Sequence, residues 1–478
     1  MFSEFTRVHK NTINLNSKHQ KPVKCLTKLF GTSGIRGRVD TTVTPQLILM
    51  VGQALASFTK AKKILVARDT RTTSPMLEHA LTAGITSCGA TALQQGVIPT
   101  PVLAYLTKQT EAAAGVMITA SHNPPEYNGL KLYNPDTTAY NQTQQAQIEL
   151  LIDKREFQRS TWQNMGRTLS IDKTDQYVEM ITRKITFGKT WKIILDLGNG
   201  STCQLAPRIF QQLNCNTLVL NAQPDGYFPG RGAEPNKESL KPLCSIVKEM
   251  KADLGIAYDG DGDRMIVVDE KGRITLPDQT FASYAAYAMK KQDFQIMVTH
   301  VEASMCIEKM IEAEGGRVIR TKVGDVSIAE AMREHNASFG GEPCGAWIHP
   351  DFHYCPDGIL SSILLLEALE ETDQKLSQFV SEAPKYPLMR QNIFCPNPLK
   401  PKILEEACKS LPEIFYNVEE QSRVDGLRLA MKQGWLLLRP SGTEPLMRIT
   451  AEAETQKDVE DIIGKAAKHI KKLIKESK

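Results

Sequence analysis

Four short segments of this chain group side chains whose types and spacing suit phosphate and metal chemistry. The first is Thr119-Ala120-Ser121-His122-Asn123-Pro124, which follows an apolar run at 113–118. A serine just past a buried strand presents its hydroxyl at the sheet edge. Small Ala120 leaves room for a ligand, and Pro124 stops a helix from starting at once. His122, and Lys131 a little later, are placed to manage a proton or the charge of a phosphate. The same residues also suit a plain turn with local backbone bonds, and neither a nucleophile elbow nor an obvious triad aspartate accompanies the serine.

The second segment, Asp259-Gly260-Asp261-Gly262-Asp263-Arg264, sets three carboxylates at alternate positions with glycine between them. That is an oxygen-donor set for one hard cation such as Mg²⁺. Glu270 falls where an EF-hand places its last ligand. However, Arg264 stands where that loop needs glycine, and 265–268 reads as a strand, so the EF-hand is excluded. A solvated acidic turn is the weaker reading, because adjacent unpaired carboxylates repel one another.

The third is Gly341-Glu342-Pro343-Cys344-Gly345. Glu342 is an acceptor-only group when ionised, suited to sugar hydroxyls. Cys344 has no basic neighbour in sequence, and a free cysteine is usually a small packed hydrophobe. His349 and His353 follow four apart, but Pro350 argues against a helix that would align them on a metal. The fourth is Arg439-Pro440-Ser441-Gly442-Thr443-Glu444-Pro445, with Arg448 beyond it. Successive N–H groups in such a turn form an anion nest, and the two arginines suit bidentate phosphate binding. A hairpin with two surface arginines is the plain alternative. Phe30-Gly31-Thr32-Ser33-Gly34-Ile35-Arg36-Gly37 has the same small-residue-plus-arginine character and can bring a cation to a shared centre.

The elements that must position these loops read as strands alternating with helices, the pattern of α/β domains. Stacked segments reveal a threefold repeat. Each unit opens with a buried-strand run, at 62–69, 191–200 and 294–304. Each continues with a helical stretch and a second, shorter strand. Each closes with an apolar run that stops at one of the first three loops. Strand ends are where open α/β sheets place ligands. A proline-rich stretch at 383–402 reads as a linker and hinge. A smaller α+β piece follows. Its last helix is marked by Thr455 with Asp458 and by an apolar stripe from Val459 to Ile474.

The chain has 478 residues, 41% hydrophobic and 23% charged, ample for several globular cores and too apolar for disorder. No apolar stretch approaches the roughly 20 residues of a membrane-spanning helix. Residues 1–28 carry a formal +5 of the net +4, so the remaining body is near neutral and offers no broad nucleic-acid face. The basic arm reads as a solvated extension without a signal-peptide core. Ten cysteines without a C-x-x-C pair point to reduced thiols in the cytoplasm.

In order along the chain, FGTSGIRG, TASHNP, DGDGDR, a G-E-x-x-G loop and RPSGTEP resemble the α-D-phosphohexomutase superfamily, and they span nearly everything from Phe30 to Arg448. The resemblance implies an α/β protein of three similar mixed-sheet domains plus a C-terminal TBP-like α+β domain around a central cleft. The expected bounds are 28–170, 171–275, 276–385 and 386–478, after a basic extension at 1–27. It implies a phosphoserine at Ser121, with one Mg²⁺ held by Asp259, Asp261, Asp263 and that phosphoserine. Glu342 would read sugar hydroxyls. Arg439, Ser441, Gly442, Thr443 and Arg448 would hold the non-reacting phosphate. Arg36, His122, Lys131 and Arg264 would surround the reacting one. A hexose 1,6-bisphosphate would serve as intermediate and activator. Many family members have Ser where this chain has Cys344, and His where it has Ala346; His349 is the candidate substitute for that histidine. Gly324 and Asp325, in a Thr321–Asp325 segment, and the stretch around Cys344 are most like archaeal-type phosphoglucosamine mutases. The expected substrate is therefore glucosamine 6-phosphate, with mannose and glucose phosphates as alternatives. A phosphatase and a non-catalytic sugar-phosphate binder are the rival classes. The expected partners are small sugar phosphates, not nucleic acid or membrane; no apolar heptad run marks a subunit interface, so the oligomeric state stays open.

Overall fold

The structure is a computed structural model that describes residues 28–477 apart from Ala61, Asp293, Phe294, Tyr416 and Thr443. The basic arm at 1–27 and the Thr443 assignment thus lie outside the described residues. The first sheet contains β1 (Ile35–Arg38), β2 (Lys63–Arg68), β3 (Thr91–Val97), β4 (Ala114–Ile118), β5 (Tyr127–Tyr133) and β6 (Thr168–Ser170), in the order β1-β5-β4-β2-β3-β6. The second holds β7 (Lys192–Asp196), β8 (Asn216–Leu220), β9 (Leu254–Tyr258) and β10 (Met265–Val268), in the order β10-β9-β7-β8. The third holds β11 (Ile296–His300), β12 (Arg317–Thr321), β13 (Phe339–Glu342) and β14 (Ala346–Ile348), in the order β12-β11-β13-β14.

The threefold repeat is therefore a repeat of topology. In each unit the opening strand lies between the second strand and the closing strand, parallel to both, and an antiparallel partner follows the closing strand. Strands β4 and β9 are buried at every residue, as parallel strands covered on both faces must be. One core runs through all three units, with Leu65 and Met117 from the first, Leu195 and Ile256 from the second, and Phe339 and Trp347 from the third. The three closing strands deliver their loops to one side of that shared core.

The fourth sheet is fully antiparallel: β15 (Leu388–Phe394), β16 (Val418–Ser422), β17 (Leu427–Met431), β18 (Gly434–Pro440) and β19 (Leu446–Ala453), in the order β15-β19-β18-β17-β16. Helices Lys400–Ile414 and Gln456–Glu476 contribute to its core. Thr455 caps the last helix by accepting from the Asp458 N–H, as its sequence indicated.

The linker reading of 383–402 needs correction. Most of that stretch is regular structure. Strand β15 occupies 388–394, and the Lys400–Ile414 helix begins before the stretch ends. The prolines fall where no backbone donor is required. Pro387 and Pro396 flank an edge strand, and Pro401 lies in the first turn of the helix.

Candidate active site

Ser121 opens the turn that follows β4, closed by the Asn123 N–H on the Ala120 carbonyl, and is fully buried. Its φ of +51° lies in the left-handed region, which costs a non-glycine residue about 1–2 kcal/mol. The turn thereby aims the hydroxyl across the interface between the first two sheets. Ser121 Oγ donates to Asp259 Oδ2 at 2.7 Å and lies 3.3 Å from His122 Nδ1. Burial, helped by Arg264 and Arg36, pulls His122 down to about 4. The imidazole is therefore neutral at physiological pH and able to accept a proton.

The metal loop follows β9. Asp259, Asp261 and Asp263 are all buried, with one oxygen of each within 4.8 Å of the others. Gly260 permits close approach: a Cβ there would stand 2.6 Å from the Ser121 carbonyl oxygen. Lys131, on β5, donates to Asp261 at 2.8 Å and Asp263 at 2.5 Å, and Thr100 adds a bond to Asp261 at 2.5 Å. Burial opposes ionisation of Asp261, but Lys131 and Thr100 hold its carboxyl below the usual range. At Asp259, Arg264 and the Ser121 hydroxyl pull the same way but are outweighed. Burial, then Asp263 and Asp261, push it well above that range. Asp261 Oδ1 and Asp263 Oδ1 are buried without any hydrogen-bond partner. Orphaned carboxylate oxygens beside a carboxyl forced toward protonation are what a missing hard cation would relieve, so the donor set fits Mg²⁺.

The third loop meets the same centre. Glu342 is the last residue of β13. Its Oε1 accepts from the Gly324 N–H at 3.2 Å and lies 4.0 Å from His300 Nε2. Gly324, at φ +123°, is the residue whose N–H meets Glu342. Asp325 opens the next helix with a buried, unpartnered Oδ1. Burial pushes Glu342 up to about 7, with Arg264 pulling against it, while burial lowers His300 to about 3. This contact is thus one between a neutral imidazole and a partly protonated carboxyl. A raised carboxyl pKa means that the folded state retains a proton the unfolded state has lost between about pH 4.5 and 7, so stability falls as pH rises through that window. Glu342→Gln is expected to flatten this decline and to melt higher than wild type at pH 8, by the equivalent of about 3 kcal/mol. Melting curves from pH 4.5 to 8 check it; parallel curves would place the Glu342 carboxyl in the ordinary range.

Burial pushes the Cys344 thiol up to about 12, which argues against a nucleophilic role at neutral pH. The expectation for His349 needs correction. Its ring is buried, lies 5.4 Å from Phe339 and 5.7 Å from Tyr284, and its Nε2 meets Ser361 Oγ at 3.0 Å. It belongs to the aromatic core under the loop and does not replace a cleft histidine.

The fourth loop joins β18 and β19. Ser441 is buried, and Gly442 is open on its side-chain face. Lys400 donates to the Ser441 and Glu444 carbonyl oxygens and so shapes the turn from behind. Arg439 is not free: it pairs with Glu302 after β11 and lies 3.0 Å from Asp425. Arg448 pairs with Glu444 and is half-exposed. A cleft of about 620 Å³, lined by Thr32, Lys322, Gly324, Asp425 and Arg439 among others, brings the first, third and fourth sheets' loops together. Arg36 Nη1 reaches Asn123 at 3.3 Å, while its Nε is buried and unpartnered; Arg264 lies 3.9 Å from Asp263.

The sequence reading missed Arg71, Thr100, His300, Glu302, Lys400 and Asp425. Only Arg71 carried a usable signal, an Asp-x-Arg immediately after β2, at a strand end that had been given no role.

Four profiles of one family cover the chain. They are described as phosphoglucomutase/phosphomannomutase alpha/beta/alpha domains I, II and III and C-terminal domain, and they match residues 27–159, 175–272, 276–386 and 392–469. The chain belongs to the phosphoglucomutase/phosphomannomutase family. Among its relatives, a probable phosphoglucosamine mutase of Methanothermobacter thermautotrophicus is 42% identical over 459 residues, 96% of this chain and 100% of that one. A phosphoglucosamine mutase of Methanococcus maripaludis is 40% identical over 442 residues, 91% of this chain and 97% of that one. A crystal structure of a family member from Burkholderia thailandensis superposes with a TM-score of 0.84 at 27% identity, covering 93% of this chain and 98% of that one. Family membership accounts for the order of the four domains and the convergence of their loops. Among the described residues no helix is long and apolar enough to cross a membrane.

Proposed function

We propose that the protein is a phosphohexomutase that converts glucosamine 6-phosphate to glucosamine 1-phosphate, in a reduced cytoplasmic setting consistent with the nine cysteines among the described residues being free thiols. The observation that carries this reading is the buried Ser121 hydroxyl, hydrogen-bonded to Asp259 beside Asp261 and Asp263, whose Oδ1 atoms are buried without a hydrogen-bond partner. The choice of sugar is supported by the names of the relatives at 42% and 40% identity.

In this reading Ser121 carries a phosphoryl group. Its transfer to the sugar O1 breaks the Ser121 Oγ–P bond and makes the 1,6-bisphosphate, while the sugar hydroxyl proton passes to a neighbouring base. Neutral His122 is the nearest candidate to hold a proton at Ser121 Oγ. After the bisphosphate turns over, Ser121 recovers the 6-phosphoryl group, and glucosamine 1-phosphate leaves. Mg²⁺, when held by Asp259, Asp261, Asp263 and the phosphoserine, neutralises charge on the transferring group. Arg36, Lys131 and Arg264 supply fixed positive charge around it. Glu342 orients the sugar through its hydroxyls. Arg439, Ser441, Gly442, Thr443 and Arg448 receive the phosphate that is not reacting. A free hexose 1,6-bisphosphate would rephosphorylate enzyme that has lost its phosphoryl group.

Because Arg439 already meets Glu302 and Asp425, an incoming phosphate must compete with carboxylates. Glu302→Gln is expected to lower the apparent KM for the sugar phosphate. Ion pairs that keep access to solvent contribute up to about 1 kcal/mol, so the gain is at most about five-fold. Steady-state kinetics at low and high salt check it; an unchanged or raised KM would remove Glu302 as a competitor.

The test of the function is phosphorus NMR with Mg²⁺, a catalytic amount of sugar bisphosphate and the 6-phosphates of glucosamine, glucose and mannose in turn. Fastest appearance of glucosamine 1-phosphate supports the proposal. A preference for glucose or mannose overturns the sugar, and release of inorganic phosphate alone overturns the mutase reading in favour of a phosphatase.

A further inference from the structure

Ser121 adopts a strained left-handed conformation in a turn, and such strain persists only where the surroundings over-determine it. The surroundings converge on one side chain outside the loops assigned above. Arg71 is fully buried, and each of its five guanidinium N–H groups has an acceptor. Nη2 donates to the carbonyls of Ser121 at 2.8 Å and Asn123 at 2.7 Å. Nη1 donates to those of Pro124 at 2.6 Å and Tyr127 at 2.9 Å. Nε donates to Asp69 Oδ2 at 3.0 Å. The same Asp69 oxygen accepts from Thr119 Oγ1 at 2.7 Å, and Thr119 Oγ1 accepts the Ser121 N–H at 2.8 Å. Both backbone groups of Ser121 are therefore tied to one buried pair, the carbonyl through Arg71 and the amide through Asp69 and Thr119.

The second sheet packs on the same joint. The carbonyl gripped by Arg71 is the atom that leaves room only for glycine at position 260 in the metal loop. The Phe228 ring centre lies 5.1 Å from Arg71 Cζ, and Thr70 Oγ1 donates to the Asn199 carbonyl at 3.0 Å. Gly226 sits so close that a Cβ would stand 2.3 Å from the Thr72 nitrogen. A buried ion pair is in general no better for stability than packed apolar groups, so its use here points to geometry. We infer that Arg71, with Asp69 as its counter-ion, is a positioning residue that sets the Ser121 hydroxyl against the Asp259 carboxylate. The inference rests on the reading of Ser121 as the phosphoryl carrier.

Arg71→Lys tests it in the full-length enzyme. Lysine keeps the charge opposite Asp69, but one nitrogen cannot reach four carbonyls. A misplacement of about 1 Å at a reacting group can cost about 100-fold, so kcat is expected to fall by about that factor. KM for the sugar phosphate should stay within about two-fold, since the groups that receive the substrate are untouched. Phosphorylation of Ser121 by glucose 1,6-bisphosphate, followed by intact-mass spectrometry, should slow with kcat; a role in fold stability alone would not produce that pattern. Thr119→Val is the second variant. It cuts the Ser121 N–H acceptor, leaves both charges in place, and should slow the same step by a smaller factor, so it decides the matter if Arg71→Lys does not fold. Wild-type kcat and Ser121 phosphorylation rate in folded Arg71→Lys, or in Thr119→Val where Arg71→Lys is unfolded, would overturn the inference. Ser121→Ala run alongside separates the two readings: an active Ser121→Ala enzyme refutes the phosphoserine itself, whereas an inactive one beside a fully active Arg71→Lys refutes only the positioning role.

Discussion

Replacing Ser121 by alanine is expected to lower mutase turnover by about 10⁴-fold or more, the order seen when a covalent nucleophile is removed. The protein should remain folded. The lost hydroxyl makes one bond of consequence, to Asp259, and a hydrogen bond of this kind contributes about 1 kcal/mol net against a typical total of about 5–15. Alanine tolerates the left-handed turn no worse than serine does, because the tie points are backbone groups held by Arg71 and Thr119. Binding should also survive, since Glu342 and the fourth loop lie on other sheets. The expected pattern is therefore a collapse of kcat with sugar-phosphate affinity kept, together with loss of the mass increment of one phosphoryl group after treatment with bisphosphate. Turnover near wild type would refute a phosphoryl carrier at Ser121. Lost affinity with an altered melting curve would show instead that the hydroxyl has a structural task.

Much of the architecture was legible because its signals are local. Buried runs such as those that form β4 and β9 announce parallel strands, and a motif that follows such a run must lie at a strand end. The three carboxylates spaced by glycine declared a cation site without any knowledge of the fold, and the structure brings them within 4.8 Å. What was illegible depends on long-range contacts. Thr100 reaches Asp261 across 161 residues, and Arg439 meets Glu302 across 137. Nothing in a threonine at a helix start or a glutamate after a strand distinguishes these from solvated neighbours. Proline misled for a related reason. It removes a donor, which reads as irregularity, yet an edge strand and a helix's first turn do not use that donor. His349 misled because histidine is read as chemistry, whereas this ring is satisfied by Ser361 inside an aromatic cluster.

Asp261→Asn should separate the carboxylate cluster's metal function from its place in the fold. Asp261 Oδ2 accepts from Lys131 and Thr100, while Oδ1 has no hydrogen-bond partner. Asparagine keeps the shape and can keep the Oδ1-side acceptor or the Lys131 contact, but not both, because one of its two atoms is now a donor. It also removes one of the two neighbouring charges that push Asp259 upward. The net change in stability without metal is thus expected to be small, with loss of the Lys131 ion pair set against relief of repulsion. Mg²⁺ changes the comparison. An ion that binds only the native state stabilises it by about 2.7 kcal/mol at a concentration 100 times its Kd. Wild type should therefore melt higher as Mg²⁺ is added. Asp261→Asn should show little or no such shift and should lose activity by at least about 100-fold at millimolar Mg²⁺, on the scale of losing a group that stabilises transferring charge. Partial recovery at much higher Mg²⁺ would fit a weakened site. A Mg²⁺-dependent rise in melting temperature equal to that of wild type, with full turnover, would remove Asp261 from the metal set and leave it as a partner of Lys131 and Thr100.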